Sequence, residues 1–181
     1  MFVWGNYGGV LKRAIAALKY ENQPQLARPL GHWLGQAWLK SPAATRAKKL
    51  TVVPIPLHRT KQQQRGYNQA ELIAQSFCDF TDYKHQPLGL ERVHATEAQF
   101  GLSVQQREQN LADAFMIGKR LSQHPTASAV LLLDDIYTTG ATARSAAQIL
   151  QRQGIQVYGI VAIATSRRGG EEISPKITTN H

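Results

Sequence analysis

The stretch VLLLDDIYTTGATA, residues 130–143, decides how the rest of the chain is read. It opens as an apolar run without alternation, the pattern of a strand buried on both faces of a parallel sheet. Two adjacent carboxylates follow, Asp134 and Asp135. Next come hydroxyls around a single glycine, then ATARSAAQILQRQG, a helical pattern that Gly154 stops. In an open α/β sheet, ligands bind at the carboxyl ends of the strands, where this acid pair falls. Gly140 lets the backbone approach a ligand closely. The helix start after it offers free amides and a favourable dipole to an anion.

One phosphate cannot satisfy both halves of the stretch, because the carboxylates would repel it. The acids require hydroxyl donors or a divalent metal instead. A sugar phosphate serves both, with its phosphate among Thr138, Thr139, Gly140, Ala141 and Thr142 and its hydroxyls at Asp134 and Asp135. The order of strand, acid pair, Thr-Thr-Gly and helix therefore points to a ribose 5-phosphate site. The chain has no G-x-x-x-x-G-K-[ST] and no G-x-G-x-x-G, so neither a Walker loop nor a dinucleotide fingerprint is present. A phosphoacceptor acid pair would need a lysine context that the sequence does not supply. A purely structural acid pair beside a helix cap remains the plain alternative.

Working outward, IQVYGIVAIA reads as the next strand. Two strands joined by a helix make a right-handed crossover, so the expected fold class is α/β, with a mainly parallel sheet flanked by helices. Upstream, KLTVVPIPLH reads as a strand ending near Val53, because prolines 54 and 56 cannot donate to a ladder. HRTKQQQRGYNQ reads as a basic loop leading into a helix from about Asn68 to Phe80, with Asn68 as its cap. The N-terminal part, residues 1–45, reads as helical. Leu11, Ile15 and Leu18 recur at helix spacing, as do Leu26, Leu30, Trp33, Leu34, Ala37 and Trp38. Trp33 and Trp38 are expected as core anchors, and Pro29 as a helix start or break. Residues 88–119 are polar and show no clear period, apart from a helical pattern from about Val104 to Phe115. Residues 171–181 read as a flexible tail behind a single domain of residues 1–170.

The 181 residues hold 21 Lys and Arg against 12 Asp and Glu, a net charge of +9. The excess is local. From Asn22 to Ala70 there is no acid, against eight basic residues. Such asymmetry fits a polyanionic partner, whether nucleic acid or a multiply phosphorylated ligand, and equally a solvated basic face. The one cysteine, Cys78, excludes an internal disulfide and a Cys-rich zinc site within the chain, and its spacing suits a core position. No apolar run approaches the roughly 20 residues of a membrane span, and no signal-peptide pattern opens the chain. The expected location is cytoplasmic, with no membrane insertion.

VLLLDDIYTTGATA resembles the phosphoribosyl-pyrophosphate (PRPP) loop of type I phosphoribosyltransferases. The resemblance implies that fold, a mobile hood, PRPP with magnesium as the ligand, and a phosphoribosyltransferase activity whose acceptor the motif does not name. It assigns the ribose hydroxyls to Asp134 and Asp135, which are also magnesium candidates, and the 5-phosphate to residues 138–142. The pyrophosphate falls to the loop after the first core strand, here Leu57, His58, Arg59 and Arg65. The hood falls at residues 88–110, with Thr96, Gln99 and Arg107 as candidates on the acceptor side.

A narrower resemblance spans nearly the whole chain. YGGVLKRAIAALKY, VVPIPLHRTKQQQRGYNQA, ATEAQ, REQNLADAF and the PRPP loop occur in the order seen in the ComF family of competence proteins. It implies a part in DNA uptake during natural transformation, contact with single-stranded DNA, and partners such as a DNA-translocating helicase. Trp33, Trp38 and Tyr67 lie in the basic stretch and are candidates for stacking on bases. Two departures stand out. The family's N-terminal four-cysteine zinc ribbon is not in this sequence, and His94 stands where a more basic residue is expected. A phosphoribosyltransferase of nucleobase metabolism and a PRPP or nucleotide sensor without turnover are the alternative readings.

Overall fold

The computed structural model describes residues 1–47, 49–93, 114–123 and 128–166. Five parallel strands form the central sheet: β1 (Phe2–Asn6), β2 (Leu50–Pro54), β3 (Lys84–His85), β6 (Ala129–Tyr137) and β7 (Val157–Thr165). Their spatial order is β1-β7-β6-β2-β3. A second, two-stranded sheet pairs β4 (Leu90–Arg92) antiparallel to β5 (Phe115–Ile117). The architecture is α/β, as the apolar run of residues 130–133 requires. It is consistent with a type I phosphoribosyltransferase-like fold.

Strand β6 shows why that run lacks alternation. Leu131 and Leu133 enter a core with α1 (Gly9–Tyr20), α2 (Ala27–Leu39), α3 (Pro42–Arg46) and α5 (Gln69–Thr81). Val130 and Leu132 enter the opposite core with β4, β5, α6 (Lys119–Gln123) and α7 (Ala141–Arg152). A strand apolar on both faces must be covered on both, here by helices on one side and by helices with the small β4–β5 sheet on the other. Helix α5 covers residues 69–81, close to the expected span. Asn68 caps it by accepting from the Ala70 amide at 3.1 Å.

Helices α2 and α5 cross at a glycine. A Cβ on Gly31 would lie 2.5 Å from the Ile73 carbonyl oxygen and 2.7 Å from Ser76 Cβ. Ser76 reinforces the crossing by donating to the Arg28 carbonyl at 2.6 Å. Pro29 lies in the first turn of α2, where no intrahelical donor is lost, and a 3-10 turn (Pro24–Leu26) leads into it.

Four sequence expectations are corrected. The first residues are not helical: Phe2–Asn6 form an edge strand parallel to β7. A five-residue apolar run carries no period, so only its partner strand identifies it. Residues 59–65 are not loop but helix α4 (Arg59–Arg65), capped by His58 and closed by Gly66 at a φ of +82°. A polar helix without an apolar stripe is invisible to a periodicity argument. Phe115 belongs to β5, not to a helix; the remainder of that expected helix, residues 104–113, lies outside the described residues. Finally, Trp38 is buried as expected, but Trp33 is half exposed and packs on Trp4, with ring centroids 5.8 Å apart.

Cys78 sits in the α5 core, and burial, with Asp79 adding to it, pushes its thiol up to about 12 from an ordinary 9.0. Its thiolate at pH 8 should be about a thousandfold scarcer than that of an ordinary cysteine. Native protein is therefore expected to leave Cys78 unmodified by a thiol-specific disulfide reagent, with full reaction in urea. Rapid modification of the native protein would contradict this packing.

Candidate ligand site at the ends of the central strands

The site begins with the pleat. Successive side chains of β6 point to opposite faces. Asp135 follows Leu131 and Leu133 toward the α1 layer, and Asp134 follows Leu132 toward the layer of β4 and α7. Asp135 is buried, at 4% exposure, and each of its oxygens is engaged. Oδ1 accepts from the Ile136 amide at 2.9 Å, and Oδ2 lies 2.6 Å from Lys19 Nζ. Asp134 Oδ1 accepts from the Asp135 amide at 2.8 Å. Burial and then the neighbouring Asp135 charge push the Asp134 carboxyl well above the ordinary carboxylate range, with Lys19 offsetting part of the shift. On the other face, burial lowers the Arg92 guanidinium from its ordinary value, and the Asp134 charge opposes that. Two cations from separate elements thus flank the acid pair.

The loop after the acids ends at Gly140, which has a φ of +80° and caps α7. The left-handed backbone there favours glycine, and a Cβ would lie 2.1 Å from the Tyr137 hydroxyl oxygen, so that side chain would have to move to admit one. Thr138 and Thr139 are exposed, and Ala141 and Thr142 open the helix. The Thr139 hydroxyl accepts from the Ala141 amide at 3.3 Å, while Arg144 donates to the Thr139 carbonyl at 3.0 Å. Hydroxyls, helix amides and acid pair therefore share one end of the central strand, as an anion and its neighbouring hydroxyls require.

The segment after β2 arrives at the same level, because Pro54 is in register with Leu133, next to Asp134. Ile55 continues the pairing by donating to the Leu133 carbonyl at 2.8 Å. Leu57 and His58 are half-buried on this segment, and Arg59 is exposed at the start of α4. His58 Nδ1 accepts from the Thr60 amide, and the His58 backbone bridges to Arg92 on β4. Arg65 turns elsewhere. Its guanidinium lies 5.7 Å from the Tyr20 ring centroid and donates to Gln69. Thr96, Gln99 and Arg107 lie outside the described residues, as does most of the expected hood.

Sequence reasoning missed Lys19 and Arg92 as partners of the acid pair. Lys19 carried no signal beyond its place on the polar side of a helix. Arg92 lay in a segment without periodicity.

Among the described residues, no three His, Cys, Asp or Glu side chains cluster as a metal cage. The acid pair is nevertheless a suitable donor set for magnesium, a hard cation that binds through one or two carboxylates when phosphate oxygens complete its shell. No helix among the described residues is long and apolar enough to cross a membrane.

A sheet with this strand order, bearing an acid pair and a Thr-Gly loop on its central strand, is consistent with a type I phosphoribosyltransferase-like fold. No family model matches the chain. It is 34% identical over 165 residues to Competence protein F of Haemophilus influenzae, covering 88% of this chain and 71% of that protein. It is 29% identical over 157 residues to DNA utilization protein YhgH of Escherichia coli, covering 84% and 67%. To Competence protein ComFC of Bacillus subtilis it is 25% identical over 148 residues, covering 82% and 56%. The chain belongs to the ComF family of competence proteins.

Proposed function

We propose that the chain takes part in DNA uptake and binds PRPP with magnesium at the acid pair and Thr-Gly loop. The observation that carries the ligand reading is the position of Asp134 and Asp135. They stand at the carboxyl end of the central strand, one turn ahead of a helix start framed by Thr138, Thr139 and Gly140. The names of the relatives, competence and DNA utilization proteins, support the cellular role.

In this reading the 5-phosphate is held by the hydroxyls of Thr138, Thr139 and Thr142 and the first amides of α7. Asp134 and Asp135 accept from the ribose hydroxyls. Leu57, His58 and Arg59 meet the pyrophosphate at the neighbouring strand end. Arg65 would contribute only by leaving its contacts with Tyr20 and Gln69. Asp134 and Asp135 would hold magnesium, which would supply charge neutralisation at the pyrophosphate. If the ribose is transferred, the protein's part is to position C1, neutralise the leaving group and exclude water. Calorimetric titration of magnesium and PRPP into the protein tests binding, and the absence of any heat would remove this reading. Pyrophosphate release that needs an added acceptor would mark an enzyme, whereas binding without release marks a sensor.

Single-stranded DNA belongs to the same proposal, through the acid-free basic stretch. Of its aromatic residues, Trp38 is buried and Tyr67 is tied to the Leu18 carbonyl, which leaves Trp33, beside Trp4, as the exposed stacking surface. Stacking on an aromatic side chain contributes about 1–3 kcal/mol per base. Trp33→Ala is therefore expected to weaken oligonucleotide binding by that order, in a fluorescence titration whose affinity falls steeply with salt. Binding that ignores both salt and Trp33 would exclude this surface. Competence-protein partners such as a helicase would be sought by co-purification.

A further inference from the structure

We propose that the RGYNQ run, residues 65–69, is a clamp on the last turn of α1 that holds Lys19 against Asp135, making Lys19 a positioning residue of the acid-pair site. The inference deepens the ligand reading above and rests on it in part. The residues on either side of Lys19 are each held by one side chain of the run. The Tyr67 hydroxyl donates to the Leu18 carbonyl at 2.6 Å, and the Arg65 guanidinium lies 5.7 Å from the centroid of the Tyr20 ring. Gln69, buried, accepts from Arg65 and fixes that guanidinium in turn. Between these two holds, Lys19 reaches Asp135 Oδ2 at 2.6 Å, its side chain 17% exposed.

The run also holds the opposite side of the contact. Asn68 Nδ2 donates to the Ile55 carbonyl at 3.0 Å, and the Ile55 amide donates to the Leu133 carbonyl at 2.8 Å, one residue before Asp134. One short motif thus braces both the helix that carries the cation and the strand that carries the acids. The physical need is plain. A lysine stem has four rotatable bonds and holds one geometry only if its backbone is fixed. Two adjacent carboxylates, one of them buried, repel each other unless cations stand close. Lys19 from α1 meets Asp135 directly, and Arg92 from β4 acts on Asp134 from the other face.

The test uses four proteins, wild type, Lys19→Met, Tyr67→Phe and the double variant, with Lys19→Arg as the conservative control. In magnesium–PRPP titrations, Lys19→Met is expected to bind about tenfold or more weakly, since small displacements of a positioned group cost that much. Lys19→Arg should recover most of the affinity, as a mere loss of packing would not. Tyr67→Phe should weaken binding in the wild type but add nothing in the Lys19→Met background. Wild-type affinity in Lys19→Met, or an undiminished Tyr67→Phe effect in that background, would overturn the proposal. If the wild type binds no PRPP, the ligand reading fails. Urea unfolding of the same four proteins then decides the clamp: non-additive stability losses support it, and additive losses overturn it.

Discussion

Asn at both 134 and 135 is expected to abolish magnesium–PRPP binding while leaving a folded protein. Each acid would contribute a charge-assisted hydrogen bond to a ribose hydroxyl, and such bonds are worth about 1.5–3 kcal/mol apiece. Their joint loss exceeds a hundredfold in affinity by roughly 1.4 kcal/mol per factor of ten. Calorimetry gives the affinity, and circular dichroism shows whether the protein is folded. Undiminished binding by the double variant would remove the acid pair from the site.

The single variants should differ in stability, because the two acids have different surroundings. Asp135→Asn strips the partner from Lys19 and should destabilise. Asp134→Asn should cost little or stabilise at neutral pH. Burial and the Asp135 charge raise the Asp134 carboxyl above its ordinary 3.8. A carboxyl raised by folding stabilises fully below its unfolded value, and that contribution is lost as pH rises through the folded value. Removing Asp134 should therefore flatten the fall in stability above about pH 3.8. An unchanged pH profile, measured by urea unfolding, would contradict its burial.

Trp38→Ala is the substitution expected to cost the most stability, about 3–5 kcal/mol. Trp38 is 1% exposed and meets three aromatic side chains from distant parts of the chain. Phe2 of β1 meets it edge-on at 5.5 Å, Tyr158 of β7 does so at 6.3 Å, and its indole donates to the Tyr83 hydroxyl beside β3 at 3.3 Å. Truncation would leave a cavity bounded by strands that cannot collapse into it, and would strand the Tyr83 hydroxyl. Thermal unfolding should fall by about 10 °C in a chain of this size. Trp33→Ala, on the same helix, should change stability by about 0.5 kcal/mol or less, as is usual at exposed sites. A large loss for Trp33 and a small one for Trp38 would contradict the helix orientation.

That pair of tryptophans marks the limit of reading this chain from its sequence. Both recur at the spacing of an apolar stripe, and both read as core. The stripe is wider than the contact it makes, so only the packing of α2 against α5 and β1 decides which indole is covered. Edge strand β1 was illegible for a similar reason. Residues 2–6 become a strand through ladder bonds to residues 161–165, far away in the chain. Helix α4 was missed because it buries no face.

The conformation of the loop after the acid pair, by contrast, was legible residue by residue. A strand buried on both faces, an acid pair and a glycine forced into a positive φ are local demands, written in consecutive residues. The sequence by itself determined the α/β class, the sheet end that carries the acids and the helix that follows the Thr-Gly loop. The tertiary structure decided the charge environment of those acids. Lys19 and Arg92 lie 116 and 42 residues from their partners and reach them from opposite faces of the sheet. Electrostatic partners act through space at a few ångströms, and no spacing along a chain encodes that distance.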